Sequence, residues 1–301
     1  MVEALKLRIP PREPRDTKRI SYCCSLQVGT TGRVLKGTLG NLKLAIKIVN
    51  LSSHSCILKE LSAFNRLSLN PHVNVIRFYD LVYDTKYAYF MLELADCSLF
   101  TLVSELNGLT DHAARTYARM MTLAVIYIHS ICVVHRDLKL ENWGIDNSLQ
   151  KVLLLDFGQS HSYGNDSEMA SLLTEYCGTS SYCPPEIRLN IPYDGRAADM
   201  WCLGICFFAM IAAFLPFQQA CDYDIRFNRF GREDVFIRRM HEACNIQCAF
   251  HTDAIDAIEA LLCFEPRNRT SASSLVSFRW LSNQNPGFIL TCRKSAEQSI
   301  E

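Results

Sequence analysis

The chain has 301 residues, 49% of them hydrophobic, and its 31 basic side chains are matched by 31 acidic ones. That length accommodates one large domain or two close-packed lobes around a substantial core. Zero net charge leaves no electrostatic footprint for nucleic acid or an anionic membrane surface. No charged-then-apolar leader follows Met1 and no glycine stands second for myristoylation, so a cytoplasmic or nuclear location is expected. Fourteen cysteines without a paired framework fit reduced, mostly buried thiols. The longest apolar run, from Trp201 to Pro216, is too short to span a bilayer and reads as a buried core helix.

Residues 1–19 are basic and rich in proline and read as a flexible arm. Next comes LQVGTTGRVLKG, from Leu26 to Gly37, where backbone N–H groups around Gly29 and Gly32 can approach phosphates. Leu39-Gly40-Asn41-Leu42 fits a two-residue hairpin turn with glycine first. The strand after it alternates, with Leu42, Leu44, Ile46 and Ile48 on one face and Lys43, Ala45, Lys47 and Val49 on the other. Lys47 therefore sits inside an apolar strand, which is costly unless it meets an anion. The helix predicted over 55–67 has an apolar stripe of Ile57, Leu61, Phe64 and Leu67, and Glu60 borders it. An inward glutamate requires a cation, and Lys47 is the available one. Strands are expected over 75–81 and 87–92, giving a small antiparallel sheet.

The helix predicted over 111–130 has Thr110 as its N-cap and Asp111 at its positive end. After it come His135-Arg136-Asp137-Leu138-Lys139-Leu140-Glu141-Asn142 and then Asp156-Phe157-Gly158. Two carboxylates and an amide supply hard oxygen ligands suited to Mg²⁺. A carboxylate beside such a site can orient a hydroxyl for attack on a phosphoryl group. HRDLKLEN followed by DFG, with Ala45-Ile46-Lys47 and an inward Glu60 upstream, resembles the eukaryotic protein kinases. Lys139, two residues after Asp137, is similar to the serine/threonine type.

The resemblance covers roughly residues 20–283. It implies an α+β fold of two lobes: a small antiparallel β-sheet lobe with one main helix (20–92), a hinge (93–97) and a larger, mainly helical lobe (98–283), followed by a polar tail (284–301). It implies Asp137 as catalytic base, Lys139 steadying the transferred phosphoryl group, and Mg²⁺ held by Asn142 and Asp156. ATP contacts are implied from Leu26, Gly29, Gly32, Val34, Ala45, Lys47, Glu60, Glu93 and Ala95. Leu92 would guard the rear of the pocket, and Asp96 or Ser98 would reach the ribose. The glycine loop departs from the family pattern: Gln27 stands for the first glycine, and Thr31 stands where an aromatic often caps the tip.

Residues 159–176 read as a polar activation segment, and its end, Leu172-Leu173-Thr174-Glu175-Tyr176-Cys177-Gly178-Thr179 followed by Pro184-Pro185-Glu186, resembles that of the calcium/calmodulin-dependent kinase group, in its checkpoint-kinase-like or AMP-activated-kinase-like branch. Thr174 is a candidate regulatory residue. Glu175 stands where that group's activating phosphothreonine usually lies, and a carboxylate there can pair with Arg136 without phosphorylation. Thr179 would help hold Asp137 and Lys139. Asp199 would brace the His135-Arg136 turn, and Arg269 would pair with Glu186. Protein substrates with serine or threonine acceptors follow. The competing reading is a pseudokinase or scaffold, favoured by Gln27, Thr31 and Pro184. His241, Cys244, Cys248 and His251 share a helical face but would be spread along its length, so apolar packing outweighs zinc binding. No basic amphipathic segment of the kind calmodulin binds is visible.

Overall fold

The computed structural model describes residues 20–29, 32–148, 150–165, 167–168, 171–231, 237–239 and 250–282, with 20–29 as backbone. The smaller lobe begins with β1 (Ile20–Gly29), β2 (Gly32–Leu39) and β3 (Leu42–Asn50). Gly40 makes the β2–β3 turn with φ of +61°, a conformation that favours glycine. After α1 (His54–Leu67) come β4 (Phe78–Tyr83) and β5 (Tyr87–Leu92), and the five strands form one antiparallel sheet in the order β1-β2-β3-β5-β4.

β3 carries the predicted alternation. Leu44, Ile46 and Ile48 pack with Val82 and Met91 on one face, while Ala45 and Val49 join the main core on the other. Lys47 shares that second face and is only 4% exposed. α1 buries Ile57, Glu60, Leu61, Phe64 and Leu67, so the glutamate does point inward. The strand expected from Val75 starts only at Phe78. The preceding residues are drawn to the larger lobe instead: Ile76 N–H donates to Leu154 O at 3.0 Å, and Leu154 N–H donates to Asn74 O at 2.8 Å.

The larger lobe opens with β6 (Cys97–Ser98), α2 (Leu99–Leu106) and α3 (Asp111–Ser130), the last with the predicted bounds and a Thr110 cap. A run of short elements follows: β7 (Val133–Val134), a 3₁₀ turn (Leu140–Asn142), β8 (Trp143–Asp146), β9 (Lys151–Leu154) and β10 (His161–Ser162). They form two small sheets, β6-β8-β9 and β10-β7. Then come α4 (Pro185–Arg188), α5 (Gly195–Ala212), α6 (Ile225–Phe230), α7 (Thr252–Leu261), α8 (Ala272–Leu275) and α9 (Arg279–Ser282). α5 is the apolar run expected to be a core helix, and nearly all of it is buried. Cys132, Cys177, Cys183, Cys202 and Cys206 are free and buried, whereas Cys97 is disulfide-bonded, which corrects the expectation of reduced thiols there.

Candidate active site

Three charged groups meet between the lobes. Lys47 Nζ lies 2.8 Å from both carboxylate oxygens of Glu60 and 2.7 Å from Asp156 Oδ1. One strand, one helix and one turn of the larger lobe are thus joined through a single buried ammonium. Burial alone would depress the lysine, but Glu60 and Asp156 together raise its pKa. Burial would raise Asp156, yet the Lys47 charge and hydrogen bond and the Gly158 N–H bring it down to about 2. Glu60 is the least exposed of the three, and burial outweighs the lysine to push it up to about 7. With both carboxylates ionised the group is one negative charge in excess, an environment that favours a further cation.

The turn from His135 to Asn142 presents Asp137 to the same cleft. Asp199 at the start of α5 shapes it, accepting from His135 N–H at 2.9 Å and Arg136 N–H at 2.7 Å. These bonds hold Arg136 at a φ of +64°. Asp137 Oδ1 accepts from Thr179 Oγ1 at 2.8 Å, and its Oδ2 lies 3.0 Å from Lys139 Nζ. Lys139 also donates to Thr179 Oγ1 at 2.8 Å. Asn142 Nδ2 donates to the Asp137 carbonyl at 2.8 Å, which turns its amide oxygen the other way. That oxygen and Asp156 Oδ2 have no hydrogen-bond partner among the described residues, and two such hard donors fit Mg²⁺.

An aromatic stack missed in the sequence joins these pieces. Phe78 lies parallel to Phe64 at 4.8 Å, Phe64 meets Phe157 at 5.8 Å, and Phe157 meets the edge of His135 at 5.0 Å. It runs from β4 through α1 to the two motifs of the larger lobe. The only available signal was that Phe64 lies four residues after Glu60, on the same helix face.

The positions expected to face a nucleotide are mixed. Ala45 is buried and Val34 half-buried, both against the main core. Gly32 has φ of +153°, and a Cβ there would strike the Ile48 carbonyl. Gly29 pairs with Gly32 across the β1–β2 end. Leu26 and Gln27 lie in β1 beside a register shift, and Thr31 falls outside the described residues. Glu93 is not free to serve through its amide or side chain. Its N–H donates to Arg77 O at 2.9 Å, and its carboxylate takes Lys151 Nζ at 2.7 Å. Ala95 N–H has no hydrogen-bond partner among the described residues, so it is free to donate as expected of the hinge. The two side chains expected near the ribose also serve the backbone: Asp96 Oδ2 accepts from Asn147 N–H at 2.8 Å, and Ser98 Oγ caps α2 through Thr101 N–H at 3.1 Å.

In the activation segment, Glu175 Oε2 takes Arg136 Nη2 at 3.0 Å and Glu175 Oε1 takes Lys59 Nζ at 2.5 Å. The Lys59 hydrogen bond foremost, aided by Arg136, lowers the Glu175 pKa. Arg136 also reaches Gln159 O at 2.8 Å and Tyr193 OH at 3.3 Å. Thr174 is exposed and its side chain has no hydrogen-bond partner among the described residues. Farther off, Arg269 binds both oxygens of Glu186, at 2.6 and 2.8 Å, and lies over Trp201. Of the four residues weighed for zinc, His241, Cys244 and Cys248 lie outside the described residues; His251 caps α7 through Asp253 N–H at 3.2 Å.

Residues 25–281 match the model of the protein kinase domain, and the chain belongs to that family. It is 34% identical over 262 residues to the "Probable serine/threonine-protein kinase MARK-B" of Dictyostelium discoideum, covering 84% of this chain and 35% of that protein. It is 30% identical over 222 residues to the "SNF-related serine/threonine-protein kinase" of Rattus norvegicus, covering 73% of this chain and 28% of that protein. The "Testis-specific serine/threonine-protein kinase 5" of Mus musculus is 29% identical over 251 residues, covering 79% of this chain and 63% of that protein. The chain therefore spans about a third of the first two relatives.

Proposed function

We propose that this chain is a protein serine/threonine kinase that moves the γ-phosphoryl group of ATP to serine or threonine hydroxyls. The observation that carries this reading is the Lys47 ammonium holding Glu60 and Asp156 together while Asp137 stands fixed by Thr179 and Lys139. Asp137 is placed to orient a hydroxyl and accept its proton, and Lys139 to meet charge on the phosphoryl oxygens. Asn142 and Asp156 would hold Mg²⁺, which when bound supplies neutralisation of the polyphosphate charge.

Glu175 supports a second part of the proposal: activity depends little on phosphorylation of the activation segment. Its carboxylate already occupies Arg136 and Lys59, the two cations a phosphate would otherwise recruit. The scaffold reading keeps its supports in the sequence: Gln27 in place of a loop glycine, Thr31 at the loop tip and Pro184 in the alanine position.

The test is phosphate transfer to a mixed peptide library, with Asp137→Asn as the control and phosphatase-treated enzyme alongside. We expect wild type to exceed the variant by at least about a hundredfold, in the range a positioned general base contributes. Equal rates would end the enzyme reading, and nucleotide binding without turnover would favour the scaffold. Loss of activity on phosphatase treatment would overturn only the role given to Glu175.

A further inference from the structure

α1 is attached to the larger lobe by a contact that no charged side chain receives. Arg66 lies in its last turn, six residues after Glu60, where a cation also suits the negative helix end. Its Nη1 donates to Ile131 O at 2.8 Å; its Nη2 donates to Tyr163 O and, at 3.4 Å, to Gly164 O. Ile131 follows α3, whereas Tyr163 and Gly164 follow β10 and open the activation segment. β7 and β10 pair there, and Tyr163 N–H donates to Cys132 O at 2.9 Å, so the carbonyls converge on one spot. A planar guanidinium with five donors suits such a cluster; a lysine ammonium is a point donor on a flexible stem.

We infer that Arg66 is a positioning residue for phosphoryl transfer, registering α1 against the start of the activation segment so that Glu60 stays on Lys47. This rests on the kinase reading above and deepens it. Six residues of helix span about 9 Å, so a shift at Arg66 is passed along a rigid rod to Glu60. Among the described residues, the other side-chain tie of α1 to the activation segment is Lys59 to Glu175, whose carboxylate is half-exposed and open to screening. The Arg66 acceptors are backbone carbonyls, which neither titrate nor await a modification.

The test uses the full chain without nucleotide. Acylation of Lys47 by an amine-reactive ester is measured by mass spectrometry, beside kcat, the KM for peptide and Tm. In Arg66→Ala we expect Lys47 labelling to rise at least about fivefold and kcat to fall about tenfold with the peptide KM unchanged, because roughly 1.4 kcal/mol of registration is a factor of ten. Arg66→Lys should fall between the two. Folded Arg66→Ala that labels like wild type overturns the inference, whether or not its activity falls. If Arg66→Ala does not fold, Arg66→Lys decides by the same measurement, and wild-type labelling there overturns it. A wild-type chain that transfers no phosphate but shows the labelling response would sink the kinase reading and leave the Arg66 contact standing.

Discussion

Glu175→Gln removes one charge and almost no volume. Arg136 is left with Gln159 O and Tyr193 OH, both neutral, and its side chain is 1% exposed. Stripping the partner from a fully buried ion costs about 3–5 kcal/mol. Glu175 is 52% exposed, so water can replace part of what it supplied. The cost should therefore fall to about 1–2 kcal/mol, closer to that of a charge-assisted hydrogen bond. That shifts the ordered activation segment by roughly 5- to 30-fold, since 1.36 kcal/mol is a factor of ten. Thr179, in the same segment, holds Asp137, so kcat/KM for a peptide should drop about tenfold while nucleotide affinity stays within about twofold. The sign with pH follows from the lowered Glu175 pKa. A depressed carboxylate contributes above its unfolded value and is lost only as pH falls through the folded one. The ratio of wild-type to variant activity should therefore be flat from about pH 6 to 8 and shrink only in acid below the ordinary carboxylate range near 4.3. Steady-state kinetics of both proteins across that interval is the assay. Equal kcat/KM would refute the role, and a ratio collapsing between pH 7 and 6 would assign the effect to a group titrating there, a histidine or the raised Glu60, instead of Glu175.

Arg269→Leu should lower unfolding free energy by about 3–5 kcal/mol, because Glu186 would keep a buried carboxylate and lose its only ion-pair partner among the described residues. The carbonyls of Cys263, Ala197 and Phe264 lose a donor as well. Denaturant titration reads this directly, and a loss under about 1 kcal/mol would contradict the buried pair. Gly32→Ala should raise the KM for ATP several-fold and also lower Tm, since the added methyl forces the β2 end away from the Ile48 backbone carbonyl beside the proposed phosphate loop. An unchanged KM would mean that this end of β2 does not shape nucleotide binding.

The parts of the site legible in sequence are those where one residue contradicts its surroundings. Lys47 stands in an apolar strand of period two, and Glu60 on the inner edge of a helical stripe; each is intolerable without a partner. Asp137, Asn142 and Asp156 sit in segments without periodicity, and there the spacing of the side chains carried the signal. Residues whose partners are backbone atoms gave no such contradiction. Arg66 looks like an ordinary helix-surface cation until its carbonyl acceptors are known, and so does Lys59, whose acceptor is a side chain distant in the chain. Asp96 and Ser98 look available for a ligand because the amides they satisfy cannot be seen in a sequence, although a serine just before an apolar helix is a recognisable cap. β4 begins late for the same reason: the chain from Asn74 to Ile76 has strand chemistry, but the larger lobe supplies its hydrogen bonds.

Phe64 is the instructive intermediate. Its burial was predicted from the stripe, but its contact with Phe157 joins residues far apart in the chain, and a phenylalanine reads the same whether it fills a core or connects two lobes. On α1 the two kinds of residue alternate along one helix. Glu60 faces an ion, Phe64 faces the stack, and Lys59 and Arg66 reach the activation segment at its two ends. A helix so attached cannot move toward any one partner without loosening the others. Its position is therefore set jointly by the activation segment and by the turn that carries Asp156, and this coupling makes Lys47 reactivity a reporter on contacts more than one helix turn away.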